Sequence, residues 1–390
     1  MAMNPGQRSL VRRGHRGATA WLLAALCSCA APPAEAPVRL PSALKAAARA
    51  NSVPQYHVEA SWPEALPNQW LLGQVSGVAV DARDHVWLIH RPRTLSEDER
   101  GATLTPPRSS CCFPAPPVLE LDAAGSVLVS FGGPGVGYDW PLNEHGIHVD
   151  YQGNVWIAGN DKADHQILKF SPRGQFLLQI GKAGQTAGSN DPALLGRPAH
   201  MEVDPKSNEL FVADGYQNRR IIVFDATTGA YKRHWGAYGR VPSDEPLPAY
   251  TPGAPPSPQF GNPHCVRLAR DGLLYVCDRN NDRIQVFRKD GRFVKEYFVA
   301  AATLGAGSVW DLALSQDPAQ TYLYVVDGQN NQVWVVERET GSVRASFGRS
   351  GRNAGQFRGV HNVAIDSHGN LYTAEVETGR RVQKLAVESP

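Results

Sequence analysis

Charged side chains are scarce in this chain of 390 residues, in which Asp, Glu, Lys and Arg together make up 19%. Disordered proteins and helical bundles are normally richer in charge, so the composition argues against both. The chain also lacks a basic stripe that could neutralise phosphate groups. Its formal net charge is +2, and removing the four arginines of the first 29 residues leaves −2. Nucleic-acid binding is therefore not expected.

Glycine, proline and apolar residues are abundant: the chain has 37 Gly, 30 Pro and 42% apolar residues. This composition is typical of a turn-rich all-β protein. A length of 390 residues allows two or three ordinary domains, or one large domain built from repeats.

The N-terminus predicts export from the cytoplasm. A basic region ends at Arg16, and a short apolar run over 18–26 leads to two cysteines. Such a run is too short to span a bilayer stably and is typical of a signal peptide. The residues around Cys29 resemble a bacterial lipobox, which would make Cys29 the lipid-bearing residue. The cysteine at the second lipobox position is atypical, so secretion without a lipid is the alternative.

The predicted organisation is an export signal over 1–29, a tether rich in Ala and Pro over 30–54, and a folded region over 55–390. We expect the protein in the periplasm or outer envelope, or secreted, with membrane contact only through the lipid.

Four cysteines lie in the folded region. Cys265 and Cys277 flank a predicted turn and should face each other across a hairpin. They form either a cross-strand disulfide or a pair of small buried apolar residues. Cys111 and Cys112 are adjacent in a polar, Pro-rich loop where they can be oxidised, and the sequence leaves the redox state of both pairs open.

Six segments of the folded region share one pattern. An apolar strand is followed by a turn with Asp or Gly, a second strand that ends in a small or acidic residue, and a polar turn. A third strand, such as 166–170, comes next, and a fourth strand, such as 176–181, closes the unit. The second strands begin at Val86, Val155, Leu210, Leu274, Leu323 and Leu371. Short strands repeated at about fifty residues predict an all-β fold, a β-propeller, and six units predict six blades.

The last unit has only three strands before the chain ends. The spare segment Tyr56–Ala60 precedes the first unit and is predicted to supply the missing outer strand. This pairing would close the ring and hide its edges.

Four histidines occupy one place in the repeat. Each stands fourteen residues before the residue that ends a second strand, and they are His145, His200, His264 and His361. They begin first strands, which are innermost in a propeller, so they should surround one mouth of the central tunnel.

Three of these histidines belong to alternate blades. His145, His264 and His361 lie in blades 2, 4 and 6, about 120° apart in a six-bladed ring. Three converging imidazoles with one open position are the ligand set of a catalytic zinc ion. Alternatively, duplicated repeats can inherit a histidine without binding metal. His200, in blade 3, breaks the threefold pattern and is either such a residue or a group that supports the ligands.

Residues that follow the second strands should point into the same mouth, among them Arg91, Tyr216 and Arg279. Asp and Asn in these stretches have a structural explanation, because they bond their own turns. That explanation does not cover the tyrosine or the arginines. Two arginines beside a cation indicate that an anion binds there, and arginine suits a carboxylate well.

Over residues 74–385 the chain resembles the peptidyl-α-hydroxyglycine α-amidating lyases, a group of NHL-repeat propellers. The segments that carry the resemblance are 73–81, 90–91, 145–147, 214–219, 263–264, 278–287 and 361–362. The resemblance implies zinc at the three alternate histidines and catalytic roles for Tyr216, Arg91 and Arg279.

The resemblance also implies a structural calcium ion in the tunnel. Its ligands would be the backbone carbonyls of Val78 and Ile147 and the side chain of Asn362. The family has an acid at that last position, so calcium should bind weakly or not at all here. The family's methionine before the last histidine is Gly359, and its cysteine after the tyrosine is Gln217, which leaves the peptide specificity open.

The implied reaction cleaves the C–N bond of a carbinolamide and releases glyoxylate and an amide. Zinc would polarise the substrate hydroxyl, Tyr216 would take its proton, and Arg91 and Arg279 would hold the carboxylate of a small molecule or a peptide C-terminus. The oxidase domain often joined to such lyases is not in this sequence, so the hydroxylated substrate should come from elsewhere. We expect a monomer.

Two alternatives remain at this point. The first is a zinc enzyme that acts on another small hydroxy or carbonyl compound. The second is a non-catalytic NHL propeller that binds a partner at the cell envelope.

Overall fold

A computed structural model describes residues 53–388, which form six four-stranded antiparallel sheets. The predicted all-β, six-bladed propeller is thus confirmed. The described part of the chain has no α-helix, and no helix in it is long and apolar enough to cross a membrane. The predicted export signal with Cys29, and nearly all of the predicted tether, lie outside the described residues.

The strands of the first three blades follow the chain. β1 (Tyr56–Val58) belongs to the last blade, and β2 (Trp70–Leu71) pairs in parallel with β5 (Phe113–Pro114) beside blade 1. Blade 1 contains β3 (Gln74–Val80), β4 (Val86–Arg91), β6 (Val118–Leu121) and β7 (Val127–Phe131). Blade 2 contains β8 (Glu144–Val149), β9 (Val155–Gly159), β10 (Gln166–Phe170) and β11 (Phe176–Gly181). Blade 3 contains β12 (His200–Asp204), β13 (Glu209–Asp214), β14 (Arg220–Asp225) and β15 (Tyr231–Trp235).

The remaining three blades repeat this order. Blade 4 contains β16 (Pro263–Leu268), β17 (Leu274–Asp278), β18 (Arg283–Phe287) and β19 (Phe293–Phe298). Blade 5 contains β20 (Asp311–Leu314), β21 (Tyr322–Asp327), β22 (Gln332–Glu337) and β23 (Val343–Phe347). Blade 6 contains β24 (Val360–Ile365), β25 (Leu371–Glu375), β26 (Val382–Val387) and β1. Short 3₁₀ helices occupy Pro67–Gln69, Pro92–Thr94, Gly101–Thr103, Ala237–Gly239 and Arg279–Asn281.

The first strands of the six blades, β3, β8, β12, β16, β20 and β24, contact one another in a closed circle around the tunnel. Within each blade the strands are antiparallel and pair in order from this inner strand outwards. All first strands therefore begin, and all second strands end, at the same face of the disc. We call this face the mouth face, and it carries every residue predicted to be catalytic.

The apolar core is divided among the blade interfaces. Six clusters of buried apolar residues each span two neighbouring blades. Between blades 3 and 4, for example, Phe211, Trp235 and Phe287 pack together. Because each blade buries its faces only against its neighbours, stability depends on a complete ring.

Strand β1 closes that ring, as predicted from the spare segment. It pairs antiparallel with β26, and Tyr56 lies opposite Val387. The Tyr56 ring packs on Tyr324 and Phe347 of blade 5, with centroid distances of 5.5 and 5.4 Å. An N-terminal residue thus joins the two last blades.

Replacing Tyr56 by alanine should therefore destabilise the whole propeller. We expect the free energy of unfolding to fall by about 2–3 kcal/mol, because a packed aromatic ring is lost at the closure. His57, exposed on the opposite face of the same strand, provides the control. His57→Ala should change stability by less than about 0.5 kcal/mol in the same urea titration. Equal effects of the two substitutions would contradict a closing role for the Tyr56 ring.

The structure decides between the alternatives left open for the cysteines. Cys265 on β16 and Cys277 on β17 lie opposite each other and form a disulfide, buried in the cluster between blades 4 and 5. The sulfur atoms of the adjacent Cys111 and Cys112 lie side by side. The Cys265–Cys277 bridge ties together the two strands that carry His264 and lead to Arg279.

Candidate metal centre and active site

Three of the four repeat histidines converge at the mouth of the tunnel. His145, His264 and His361 are each the second residue of a first strand, on β8, β16 and β24. Each offers a ring nitrogen, and these three atoms all lie within 4.8 Å of one another. The imidazole rings are buried, with 2–4% of each residue exposed. The spacing in the sequence predicted this convergence.

A local irregularity aims these side chains at the tunnel axis. In β8, β16 and β24 the pairing with the second strand shifts register at the histidine. Such a β-bulge turns the side chain of the extra residue away from its regular direction. In β12 the pairing stays regular, with His200 directly opposite Ala213. His200 is therefore not among the converging side chains.

The carbonyl groups of neighbouring blades fix the orientation of the three rings. The Nδ1 atoms of His145, His264 and His361 lie 2.8, 2.6 and 2.7 Å from the backbone oxygens of Ala199, Trp310 and Ser76. A carbonyl can only accept, so each Nδ1 carries the proton and each Nε2 keeps its lone pair. A neutral imidazole with a fixed Nδ1–H is the form that binds metal ions.

Tyr216 lies between two of these lone pairs. Its hydroxyl oxygen is 2.8 Å from Nε2 of His145 and 3.0 Å from Nε2 of His264. The hydroxyl has one proton and can donate to only one of the two nitrogens. Three buried lone pairs thus share a single donor, and a cation at their centre would satisfy all of them. The donor set fits a zinc ion with an open fourth position.

Burial opposes protonation of these histidines. Burial, together with the charges of Arg91 and Arg279, lowers the pKa of His361 to about 3. The pKa values of His145 and His264 also fall well below the usual range, first because of burial and then because of neighbouring positive groups. Neutral imidazoles, ready to act as ligands, are therefore available well below neutral pH.

Arg91 and Arg279 both lie at the mouth face, and Arg279 contacts the Tyr216 hydroxyl. Arg91 donates Nε to the Glu144 backbone oxygen at 2.8 Å and Nη1 to Gln74 at 2.7 Å. Arg279 donates Nε to the Ala306 backbone oxygen at 2.7 Å and lies 3.4 Å from the Tyr216 hydroxyl. Its guanidinium carbon stacks 3.5 Å above the Trp310 ring.

Neither guanidinium forms an ion pair with a carboxylate of the described residues within 4.0 Å. Burial lowers the pKa of both arginines, although they remain cations at neutral pH. Two cations without a carboxylate partner among the described residues, the buried Arg91 and the half-buried Arg279, favour an anionic ligand, and a carboxylate is the best geometric match.

Buried ion pairs hold the loops that carry these residues. Asp214, before Tyr216 in the chain, pairs with Arg220, after it, at 3.0 Å. In the same way Asp278 and Arg283, which stand on either side of Arg279 in the chain, pair at 2.8 Å. The same two aspartates accept backbone N–H groups from Gly196 and Gly261. The acid at the end of the second strand is thus structural, which fixes the position of the loop that follows.

Arg197 also lies at the mouth, although the repeat pattern did not predict it. Its backbone oxygen accepts the N–H of Tyr216 at 3.3 Å, its guanidinium lies 5.5 Å from the Tyr216 ring centre, and both Nε and Nη2 donate to Asn160. A backbone φ of 63° at Arg197 sets this geometry, and nothing in the repeat pattern signals it.

Glu377 is a second residue at the mouth that the repeat pattern did not predict. Its side chain lies where the resemblance places a methionine, because a Cβ on Gly359 would come within 2.8 Å of the Glu377 Cγ. Its charge supports the cationic forms of Arg91 and Arg279. The mouth therefore contains an acidic group in addition to its arginines.

The residues assigned to calcium form a different arrangement. Asn362 Oδ1 accepts the Val78 N–H at 2.7 Å, and its amide group donates to Asp311. Ile147 packs in the cluster between blades 1 and 2. The guanidinium of Arg267 lies against Asp311 in the same layer of the tunnel. Asn362, the one side chain assigned to calcium, thus uses its amide oxygen for a backbone N–H and lies in a layer that holds a guanidinium, whereas calcium requires several free oxygen ligands and anionic charge.

His148, near the opposite end of the tunnel, predicts a pH dependence. Burial lowers its pKa to about 4, with Asp150 opposing and Arg267 adding to the shift. Below pH 6.5, His148 is therefore protonated in the unfolded chain but stays neutral in the folded chain. Its contribution to stability is fully present above pH 6.5 and is lost as the pH falls towards 4. We expect a loss of up to about 1.4 kcal/mol per pH unit from this group.

Urea unfolding at several pH values measures this slope. His148→Gln keeps a hydrogen-bond acceptor for the Val203 N–H but does not titrate. For this variant, the slope of the unfolding free energy against pH should be smaller than that of the wild type by up to about 1.4 kcal/mol per pH unit. Identical slopes in the two proteins would show that His148 does not contribute.

Comparisons with known proteins agree with the fold. The sequence model of the NHL repeat matches residues 260–287, which include His264. The chain is 28% identical over 340 residues to the peptidyl-glycine alpha-amidating monooxygenase of Mus musculus, covering 83% of this chain and 31% of that protein. It is 26% identical over 316 residues to a probable peptidyl-alpha-hydroxyglycine alpha-amidating lyase, pgal-1, of Caenorhabditis elegans, covering 79% of this chain and 81% of that protein.

The chain spans about a third of the length of the first curated relatives that it matches. A solved structure from Bacteroides thetaiotaomicron, described as a structural genomics protein of unknown function, has a TM-score of 0.52 and 15% identity. The superposition covers 82% of this chain and 70% of that chain, and at this identity it concerns the fold alone.

Proposed function

Since the chain is an NHL-repeat propeller protein that resembles the peptidyl-α-hydroxyglycine α-amidating lyases, we propose that it is a zinc-dependent carbon–nitrogen lyase acting on carbinolamides. The observation that carries the proposal is the convergence of three Nδ1-anchored histidines beside Tyr216 and two unpaired arginines. The resemblance alone gives the reaction class, and this site gives the means to perform it.

The substrate is a compound that ends in an α-hydroxyglycine unit. Arg91 and Arg279 bind its carboxylate, because both guanidinium groups lie at the mouth, are held by backbone oxygens and have no carboxylate partner within residues 53–388. Both are held by backbone oxygens, so binding needs little reorganisation of either side chain. The carboxylate also offsets the positive charge that two arginines and a metal ion bring together.

When bound, zinc supplies a Lewis acid that polarises the substrate hydroxyl. Tyr216 in its phenolate form accepts the proton of that hydroxyl, and Arg279 near its oxygen stabilises the negative charge of the phenolate. The carbon–nitrogen bond then breaks as the carbonyl of glyoxylate forms. The electrons of that bond pass to nitrogen, and the proton held by Tyr216 is returned there, which yields the amide.

The proposal is tested with an N-acylated dipeptide that ends in α-hydroxyglycine. Zinc-loaded protein should release glyoxylate and the corresponding amide, whereas metal-free protein should not exceed the spontaneous rate. The same dipeptide with its carboxylate converted to an amide should react at least about tenfold less efficiently, because it cannot engage the arginines.

The outcomes separate the alternatives. A protein that binds stoichiometric zinc but releases no glyoxylate contradicts this reaction and favours another small substrate. A protein that binds no zinc at all contradicts the metal centre and favours a binding scaffold.

A further inference from the structure

A second ring of polar side chains encircles the tunnel beyond the histidines. Its members lie one to three residues further along the first strands than the mouth histidines and their aligned residues: His148, Glu202, Arg267, Asp311 and Asn362. Each of them bonds to the next blade in the circle. We call this group the tunnel ring.

The links run through five of the six blade junctions in order. His148 of blade 2 accepts the Val203 N–H at 3.2 Å, and Glu202 of blade 3 accepts the Leu268 N–H at 3.0 Å. Arg267 of blade 4 binds Asp311 of blade 5 with two bonds, of 3.1 and 2.6 Å. Asp311 accepts the Val363 N–H of blade 6 at 3.0 Å and the Asn362 amide, and Asn362 accepts the Val78 N–H of blade 1 at 2.7 Å.

At the sixth junction, between blades 1 and 2, the described residues form no such link in this layer of the tunnel. A Cβ added to Gly77 would lie 2.9 Å from Ile147 Cγ2 and 3.0 Å from the His145 oxygen. The two first strands thus approach closely enough to pack directly. The tunnel ring and this contact together join all six inner strands.

Arg267 provides the positive charge of the tunnel ring. Its side chain is 13% exposed, and its Nη2 also donates to the Val363 oxygen at 3.1 Å, so it bridges blades 4, 5 and 6. Both carboxylate oxygens of Asp311 accept hydrogen bonds from Arg267, and the Val363 N–H and the Asn362 amide of blade 6 also donate to this carboxylate. Glu202 also faces this guanidinium, and burial raises the pKa of Glu202 to about 7 although Arg267 opposes the shift.

We propose that the guanidinium of Arg267 is the built-in cation that closes the inner ring of this propeller, so that the protein needs no calcium ion for its stability. A calcium ion held by the backbone carbonyls of Val78 and Ile147 would also need a side-chain oxygen of Asn362 or Asp311. These oxygens already accept hydrogen bonds, and the largely buried Arg267 guanidinium would repel the ion. The proposal concerns ring closure and is independent of the lyase reaction.

Thermal unfolding in calcium-free buffer, with and without added CaCl₂, tests the proposal. MgCl₂ at equal ionic strength serves as the salt control, and chelators are left out so that zinc stays bound. The wild-type Tm is expected to be the same in all three buffers. A rise in Tm specific to CaCl₂, together with one bound calcium by elemental analysis, would overturn the proposal.

Three variants test the role of the guanidinium itself. Arg267→Met should lower the Tm by about 10 °C, because it leaves Asp311 buried without its partner. Arg267→Lys keeps a cation and should lose less than half as much. Arg292→Met removes an arginine of the same blade whose side chain is 77% exposed, and should leave the Tm unchanged. Equal losses of Tm in the methionine and lysine variants would refute the role of the charge. If the methionine variant fails to fold, the lysine variant and the calcium titration still test the proposal.

Discussion

Replacing His264 by alanine is expected to release the metal and to lower kcat/KM for the α-hydroxyglycine substrate by more than about 100-fold. Only two imidazoles would remain, and the hydroxyl of Tyr216 would lose one of its two histidine partners. Elemental analysis of the purified variant measures the first effect, and glyoxylate release measures the second. Both effects follow from one substitution because the ligands and the proton acceptor are in direct contact.

His200 offers a matched control, because it holds the same place in the repeat but points elsewhere. Both of its ring nitrogens are buried without a hydrogen-bond partner among the described residues. His200→Leu should therefore keep zinc and activity, and should raise stability because two unsatisfied polar atoms are removed. Loss of zinc from the His200 variant, or full zinc content in the His264 variant, would place the metal elsewhere.

Removing the hydroxyl of Tyr216 should affect turnover more than binding. Tyr216→Phe is expected to lower kcat by about 100-fold to 10,000-fold, the usual contribution of a positioned acid or base. KM should change little, because Arg91 and Arg279 keep their backbone anchors and still hold the carboxylate. Zinc content should stay stoichiometric, since all three histidine ligands remain.

Tyr231→Phe on the same blade is the control for this experiment. Tyr231 is 40% exposed, and its hydroxyl bonds only His234 within the described part of the chain. It should keep the wild-type kcat. If Tyr216→Phe also turned over at the wild-type rate, another group would have to accept the proton, and the assignment of Tyr216 would be wrong.

The blades could be predicted because each strand carries its own signal. The third and fourth strands of blade 2 occupy 166–170 and 176–181, as the alternation of apolar residues and turns predicted. Strand direction then placed Arg91, Tyr216 and Arg279 at one face. These inferences need only local patterns and the order of antiparallel strands.

The side-chain directions at the tunnel could not be predicted in the same way. Whether a repeat histidine faces the axis depends on a β-bulge, which β8, β16 and β24 have and β12 lacks. The Arg267–Asp311 pair joins residues 44 positions apart in different blades, and each looks like an ordinary polar strand residue in the sequence. Such contacts are decided by packing across the ring rather than by any local pattern.

The closure between β1 and β26 also determines how the protein would respond to mechanical force. The two ends of the described chain emerge side by side, with Tyr56 opposite Val387 and the Glu388 N–H bonded to Gln55. Traction on both ends would load the hydrogen bonds of this pair one after another, as in unzipping, rather than all together in shear. In a single-molecule pulling experiment the sixth blade should peel open first and at low force, although the same closure protects the ring against thermal unfolding.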